Sequence, residues 1–145
     1  MNDGLETSCG FIAILGAPNV GKSTLLNRVV GTKVSIVSPK VQTTRTRVLG
    51  IALEDDAQMI FIDTPGIFKP KRRLDRAMVA AAWGGAGDAD HVVLLVDSQR
   101  GINPDTQSII DKLKQSERKV DLALNKVDLV DKQDLLALTE KLNEY

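Results

Sequence analysis

The chain has 145 residues, 43% of them hydrophobic, and its 19 Lys+Arg are matched by 19 Asp+Glu. That length suffices for one buried core, and the balanced charge excludes a global basic field that would hold nucleic acid. The lone Cys9 excludes an internal disulfide, no apolar run nears the roughly 18–20 residues of a membrane span, and the polar, acidic start MNDGLETS is no signal peptide, so one soluble cytosolic domain is expected.

Short apolar runs alternate with amphipathic stretches, the pattern of a parallel sheet flanked by helices. After a tail over 1–9, the first predicted strand covers 10–16 (GFIAILG) and leads into a glycine loop. A helix follows over 23–30 and should stop near Gly31, since glycine ends helices well. Residues 47–53 alternate somewhat more than the first strand and pair with 58–63 (QMIFID) through the turn-prone Asp55–Asp56, which predicts an antiparallel edge strand. The run at 91–97 (HVVLLVD) is almost continuously apolar, like the first strand, as suits burial on both faces. Asn103–Pro104 reads as an N-cap followed by proline at the first helical position, with Ile109, Ile110 and Leu113 behind it. A last strand is predicted over 119–125 (KVDLALN). A last helix over 131–145 sets Leu135, Leu138, Leu142 and Tyr145 on one face. The predicted fold class is α/β: a P-loop NTPase arrangement, with a mostly parallel twisted sheet, one antiparallel edge strand and helices on both faces.

Three motifs sit in fixed order at the ends of apolar runs: GAPNVGKS at 16–23, DTPG at 63–66 and NKVD at 125–128. In the first, Gly16 and Gly21 let the backbone turn tightly. Together with Ala17, Pro18, Asn19 and Val20 they form a nest for the α- and β-phosphates at the positive end of a helix. Lys22 supplies a point charge for the β- and γ-phosphates, Ser23 a hydroxyl ligand for Mg²⁺, and Thr24 reaches the α-phosphate. Asp63 ends an apolar strand and is suited to hold Mg²⁺ through a water. Thr64 and Pro65 carry the turn to Gly66, whose N–H meets the γ-phosphate, and Ile67 follows. In NKVD, Asp128 can accept two hydrogen bonds from guanine that adenine cannot donate. Asn125 serves either the purine's carbonyl side or the bracing of the loop, the Lys126 stem can lie along the ring, and Val127 spans between. Singly, each motif also reads as an ordinary turn. Their order and placement point to a guanine-nucleotide switch.

The chain resembles the Era family of bacterial GTPases, in the translation-factor-like P-loop class. The resemblance rests on GAPNVGKSTLLN at 16–27, SPKVQTTRTRVLGI at 38–51, DTPGI and NKVD, and covers residues 8–145. The stretch QTTR at 42–45 separates Era from relatives in which the threonine is usually followed by Arg-Asp. The resemblance implies a first switch over 31–45, with Thr44 or else Thr43 ligating Mg²⁺, and a second over 67–79. The second switch holds Lys69, Lys71, Arg72, Arg73 and Arg76, which read as a solvated helix face or as an RNA or ribosome contact. Ile67 stands where signalling GTPases carry a water-orienting glutamine, so a low intrinsic rate is expected. Asn19 matches the asparagine by which relatives hold a potassium ion (K⁺) against the phosphates in place of an arginine finger. The implied catalytic set is Lys22, Thr44 and Asn19.

What the resemblance implies for function is Mg²⁺-dependent hydrolysis of GTP to GDP, timing small ribosomal subunit (16S rRNA) assembly in the cytoplasm, with peripheral association at the inner membrane. Era proteins continue with a strand bearing a Ser-Ala motif, a final helix and a KH-type RNA-binding domain. None of these precedes Tyr145. The expectation is therefore a G domain over 10–145, incomplete at its C-terminus, with the strand 119–125 at an open edge and rRNA contact assigned mainly to the absent KH domain and its GXXG loop. Two other readings stand beside it. One is a nucleotide-binding or interaction module with negligible turnover; the other is a neighbouring ribosome-assembly GTPase, against which the TTRT stretch argues.

Overall fold

Continuous apolar runs in β1 and β4 place side chains on both faces of a sheet, apolar residues recur every three or four positions in the helices, and together they build two cores. A computed structural model describes residues 8–30, 48–62, 89–116 and 118–145. In chain order the elements are β1 (Ser8–Leu15), α1 (Lys22–Val29), β2 (Val48–Glu54), β3 (Ala57–Ile62), β4 (His91–Asp97), α2 (Pro104–Gln115), β5 (Val120–Asn125), a 3₁₀ turn (Val127–Leu129) and α3 (Lys132–Asn143). The five strands form one sheet in the order β2-β3-β1-β4-β5. Among the described strands, only the β2–β3 pair is antiparallel. It turns through Asp55–Asp56, with Asp55 at φ 48, the left-handed geometry that a two-residue hairpin demands. The edge hairpin expected from the sequence is therefore present, with a bulge between Val48 and Gly50.

Strand side chains alternate between two cores, as the period of two requires. Ala13 and Leu15 of β1 and Val92, Leu94 and Val96 of β4 meet Ile109, Ile110 and Leu113 of α2 and Leu142 of α3 on one face. Ile14 and Leu95 meet Leu26 of α1, Ala52 and Phe61 on the other. Helices thus cover both faces. Leu15, Ile109 and Val96 are fully buried, and each such side chain contributes about 1.5–3 kcal/mol by leaving water.

Three features differ from the sequence reading, one a boundary and two of burial. β1 begins at Ser8, inside the stretch expected to be a tail, because the Ser8 N–H donates to the Asp56 carbonyl and Ser8 and Cys9 pair in register with Ala57 and Gln58 of β3. β1 is buried on both faces only in its second half; Ser8, Cys9 and Phe11 are exposed. On α3, Leu142 is buried and Leu135 and Leu138 half-buried, while Tyr145 is exposed. Tyr145 instead reaches α2, donating its hydroxyl to Gln107 Oε1 at 3.2 Å and carrying the Lys114 ammonium 4.3 Å over its ring.

α2 starts as predicted, with Asn103 Oδ1 accepting from the Thr106 N–H at 2.8 Å ahead of Pro104. Among the described residues, no helix is long and apolar enough to cross a membrane. The tail before Ser8, the first switch with Thr43 and Thr44, the DTPG turn (Asp63, Thr64, Pro65, Gly66), Ile67 and the basic cluster of the second switch lie outside the described residues.

Candidate nucleotide site

The glycine loop leaves the C-terminal end of β1 and enters α1 at Lys22. Two side chains moor it. Ala17 and Val20 are each 1% exposed and packed into the α1-side core. Gly16 is required by close approach: a Cβ there would stand 2.7 Å from Val20 Cγ2 and 2.8 Å from the Leu95 carbonyl oxygen. Gly21 is required by conformation, with φ 100 at the cap of α1, a region closed to most L-residues. Asn19, at φ 63, also lies in the left-handed region, which asparagine tolerates better than most. Pro18 is half-buried and Asn19 exposed.

The loop's carbonyls are taken up by side-chain donors. Lys22 Nζ donates to the Gly16 oxygen at 3.0 Å and to the Ala17 oxygen at 3.4 Å. Asn125 Nδ2 donates to the Val20 oxygen at 2.8 Å, and Lys126 Nζ to the Asn19 oxygen at 3.1 Å. Binding the carbonyls this way leaves loop N–H groups and the positive end of α1 as the groups able to receive an anion. Ser23 and Thr24 sit exposed in the first turn of α1, where their hydroxyls can meet a ligand resting on the loop.

The base loop follows β5. Lys126 adopts φ 57, and the Leu129 N–H donates to its carbonyl at 3.0 Å, closing the 3₁₀ turn that carries Val127 and Asp128. Asp128 is exposed on that turn, as a carboxylate reading a base edge must be. Of the two roles open to Asn125, the structure displays the bracing one, through Nδ2 on the Val20 carbonyl.

Asp97 is the residue that sequence reasoning passed over. It ends β4 with its side chain 2% exposed, and its Oδ2 stands 2.7 Å from Lys126 Nζ. Its Oδ1 accepts the N–H groups of Gln99 at 2.9 Å and Arg100 at 3.3 Å. Burial pushes this carboxyl's pKa up, yet the Lys126 hydrogen bond and the two N–H groups outweigh it and hold the group below its ordinary value. One signal could have found it: a carboxylate closing the apolar run HVVLLV is as odd there as Asp63 is after QMIFI.

The structure thus brings Gly16, Ala17, Pro18, Asn19, Val20, Gly21, Lys22, Ser23 and Thr24 together with Asn125, Lys126, Val127 and Asp128 at the C-terminal ends of β1 and β5. This is the edge at which open α/β sheets bind ligands. Thr44 and the Asp63–Ile67 stretch are among the residues outside the description.

Residues 11–126 match the 50S ribosome-binding GTPase family. The chain is 61% identical over 140 residues to GTPase Era of Sinorhizobium medicae (strain WSM419), which covers 97% of this chain and 45% of that protein. Among solved structures, an Aquifex aeolicus Era variant bound to GDP·AlF₄⁻ matches with a TM-score of 0.79 at 40% identity, over 95% of this chain and 48% of that one. Era in complex with MgGDPNP and nucleotides 1506–1542 of 16S ribosomal RNA matches with the same TM-score and identity, over 95% and 47%. The chain spans about half the length of these relatives. By its sheet, its phosphate loop and its base loop, the chain belongs to the 50S ribosome-binding GTPase family, as a G domain of the Era type.

Proposed function

We propose that this chain binds GTP and GDP with Mg²⁺ and hydrolyses GTP, as the switch domain of a protein acting in small ribosomal subunit assembly. One observation carries the nucleotide reading. Two loops more than a hundred residues apart are joined by hydrogen bonds from Asn125 and Lys126 to Val20 and Asn19, so a phosphate nest and a base reader face one site. The loop N–H groups and Lys22 receive the β-phosphate side, and Asp128 accepts from guanine. A pocket built on such bonds rejects the wrong base by about 10⁴-fold, since a mismatched base leaves a carboxylate unpaired.

Mg²⁺ suits the donors present, because it is held by one or two side chains plus phosphate oxygens and water rather than by a protein cage. Ser23 would hold it, with Thr44 and Asp63 as further ligands. When bound, it neutralises charge on the β- and γ-phosphates. Potassium at Asn19 belongs to this reading too, and would make hydrolysis faster in K⁺ than in Na⁺ at matched ionic strength. The ribosomal role rests on likeness to the Era that is bound to 16S ribosomal RNA. Location in the cytoplasm, with peripheral contact at the inner membrane, belongs with that role. The G domain over 10–145 is proposed as one part of a longer architecture whose KH domain makes the main RNA contact.

Fluorescence titration with GDP and ADP in Mg²⁺ buffer tests the base reading, and phosphate release in a single turnover tests hydrolysis. Asp128→Asn exchanges an acceptor for a donor and should move preference from guanine toward xanthine nucleotides. Equal GDP and ADP affinity, or an Asp128→Asn variant that keeps GDP and gains no xanthosine diphosphate, would refute the base-site assignment.

A further inference from the structure

β4 and β5 run parallel with Asp97 opposite Asn125, so the chain leaves both strands at the same level of the sheet. The Ser98 N–H then donates to the Asn125 carbonyl at 2.9 Å, joining the two exits. One residue later, Lys126 turns into the left-handed region and its ammonium lies between two acceptors, Asp97 Oδ2 at 2.7 Å and the Asn19 carbonyl at 3.1 Å. Asp97 cannot follow if the lysine moves: it is buried, and Gln99 and Arg100 hold its other oxygen. Lys126 is the mobile partner, 32% exposed on a long flexible stem.

We propose that Asp97 is a positioning residue for nucleotide binding. It stretches Lys126 from the base loop to the phosphate loop before any ligand arrives. The aliphatic stem is then already laid as a floor for the base, and the Asn19 carbonyl is already fixed in its left-handed turn. This rests on the guanine-nucleotide reading above and adds to it a residue outside all three motifs. A preorganised contact strengthens binding by removing the ordering cost at the moment of association. Asp97 could instead serve only as a turn cap for Gln99 and Arg100, and the two roles separate cleanly. Asparagine at this position keeps an oxygen for those N–H groups but loses the charge that faces Lys126.

The test is a double-mutant cycle on the 145-residue chain, reading dissociation of a fluorescent N-methylanthraniloyl GDP, with competition by pyrophosphate as the second measurement. Asp97→Asn and Lys126→Met should each speed dissociation about tenfold, the effect of losing one charge-assisted contact. The double variant should be no faster than Lys126→Met alone, and pyrophosphate affinity should fall less than GDP affinity in each variant, because Lys22 and the loop N–H groups remain. Wild-type dissociation from Asp97→Asn, or a loss from it that persists in full in the Lys126→Met background, overturns the proposal. Should Asp97→Asn melt below the assay temperature, Asp97→Glu, which displaces the carboxylate, takes its place in the cycle: faster dissociation that vanishes in the Lys126→Met background supports the proposal, and the wild-type rate or a loss that persists in full there overturns it. A wild-type chain that retains no fluorescent GDP refutes instead the guanine-nucleotide reading beneath it.

Discussion

Asn125 donates from Nδ2 to the Val20 carbonyl at 2.8 Å, and its amide packs so closely on Gly21 that a Cβ on Gly21 would collide with it. One side chain thereby fixes the height of the phosphate loop against the end of β5. Val20 itself is buried, so its carbonyl has no simple route to water if the amide is removed.

Asn125→Ala should therefore destabilise the fold by about 1–3 kcal/mol, the cost of a buried acceptor left unsatisfied. It should also weaken GDP binding, because the phosphate loop loses its brace against β5. Urea denaturation and GDP titration of the variant measure the two losses. An unchanged midpoint and unchanged affinity would show that the bond to Val20 carries neither.

Gly21→Ala meets two obstacles, a φ of 100 and the Asn125 amide. Holding a non-glycine residue in such a conformation costs of order 1–3 kcal/mol, and the Asn125 side chain must also swing away from Val20. The expected outcome is lower stability together with lower affinity for GDP and for pyrophosphate, because the loop itself is displaced. Combining it with Asn125→Ala should recover part of the collision but none of the strain, which a cycle of thermal melts can resolve.

Lys22 and Ser23 are adjacent yet should separate by metal dependence. Lys22→Ala removes the ammonium that also bonds the Gly16 and Ala17 carbonyls, so nucleotide affinity should fall about 10–100-fold, as for loss of a charged hydrogen bond, with or without Mg²⁺. Ser23→Ala should lower affinity and hydrolysis in Mg²⁺ and change little in EDTA. Equal losses of GDP affinity in both buffers for Ser23→Ala would remove it as a ligand.

Acid should act through Asp97. Its pKa is held below the ordinary 3.8 in the fold by Lys126 and the Gln99 and Arg100 N–H groups, with the Arg100 guanidinium 3.9 Å away. The unfolded chain thus binds this proton more readily. The stabilisation is fully present above about pH 4 and is lost as pH falls through the folded value. Asp97→Asn should flatten that part of the stability profile below pH 4 and leave the rest of the curve parallel to wild type. An unchanged acid slope in urea melts at stepped pH would exclude Asp97 as its source.

The elements and both loops were legible along the chain because each is written in local chemistry. The turn-prone Asp55–Asp56 between two apolar runs marks β2 and β3, Asn103–Pro104 marks the start of α2, and a glycine loop between a strand and a helix has few uses other than holding phosphate. The order GAPNVGKS then NKVD points to the guanine nucleotide proposed above, because both loops are local stretches at strand ends. The start of β1 was not legible: Ser8 and Cys9 look like a polar tail, and only pairing with Ala57 and Gln58 of β3 makes them a strand.

What the sequence alone determined was where the glycine loop and the NKVD loop lie along the chain; what their side chains touch was decided by the sheet. The brace that Asn125 makes on Val20 follows from the β4–β5 register together with the close approach of Gly21. Asp97 had no motif around it. It became part of the site because a parallel ladder sets it level with Asn125, so that Lys126, one residue beyond, meets it across 2.7 Å. Such contacts join segments 29 to 105 residues apart. No local periodicity records them, because they depend on how strands align and not on what precedes or follows each residue.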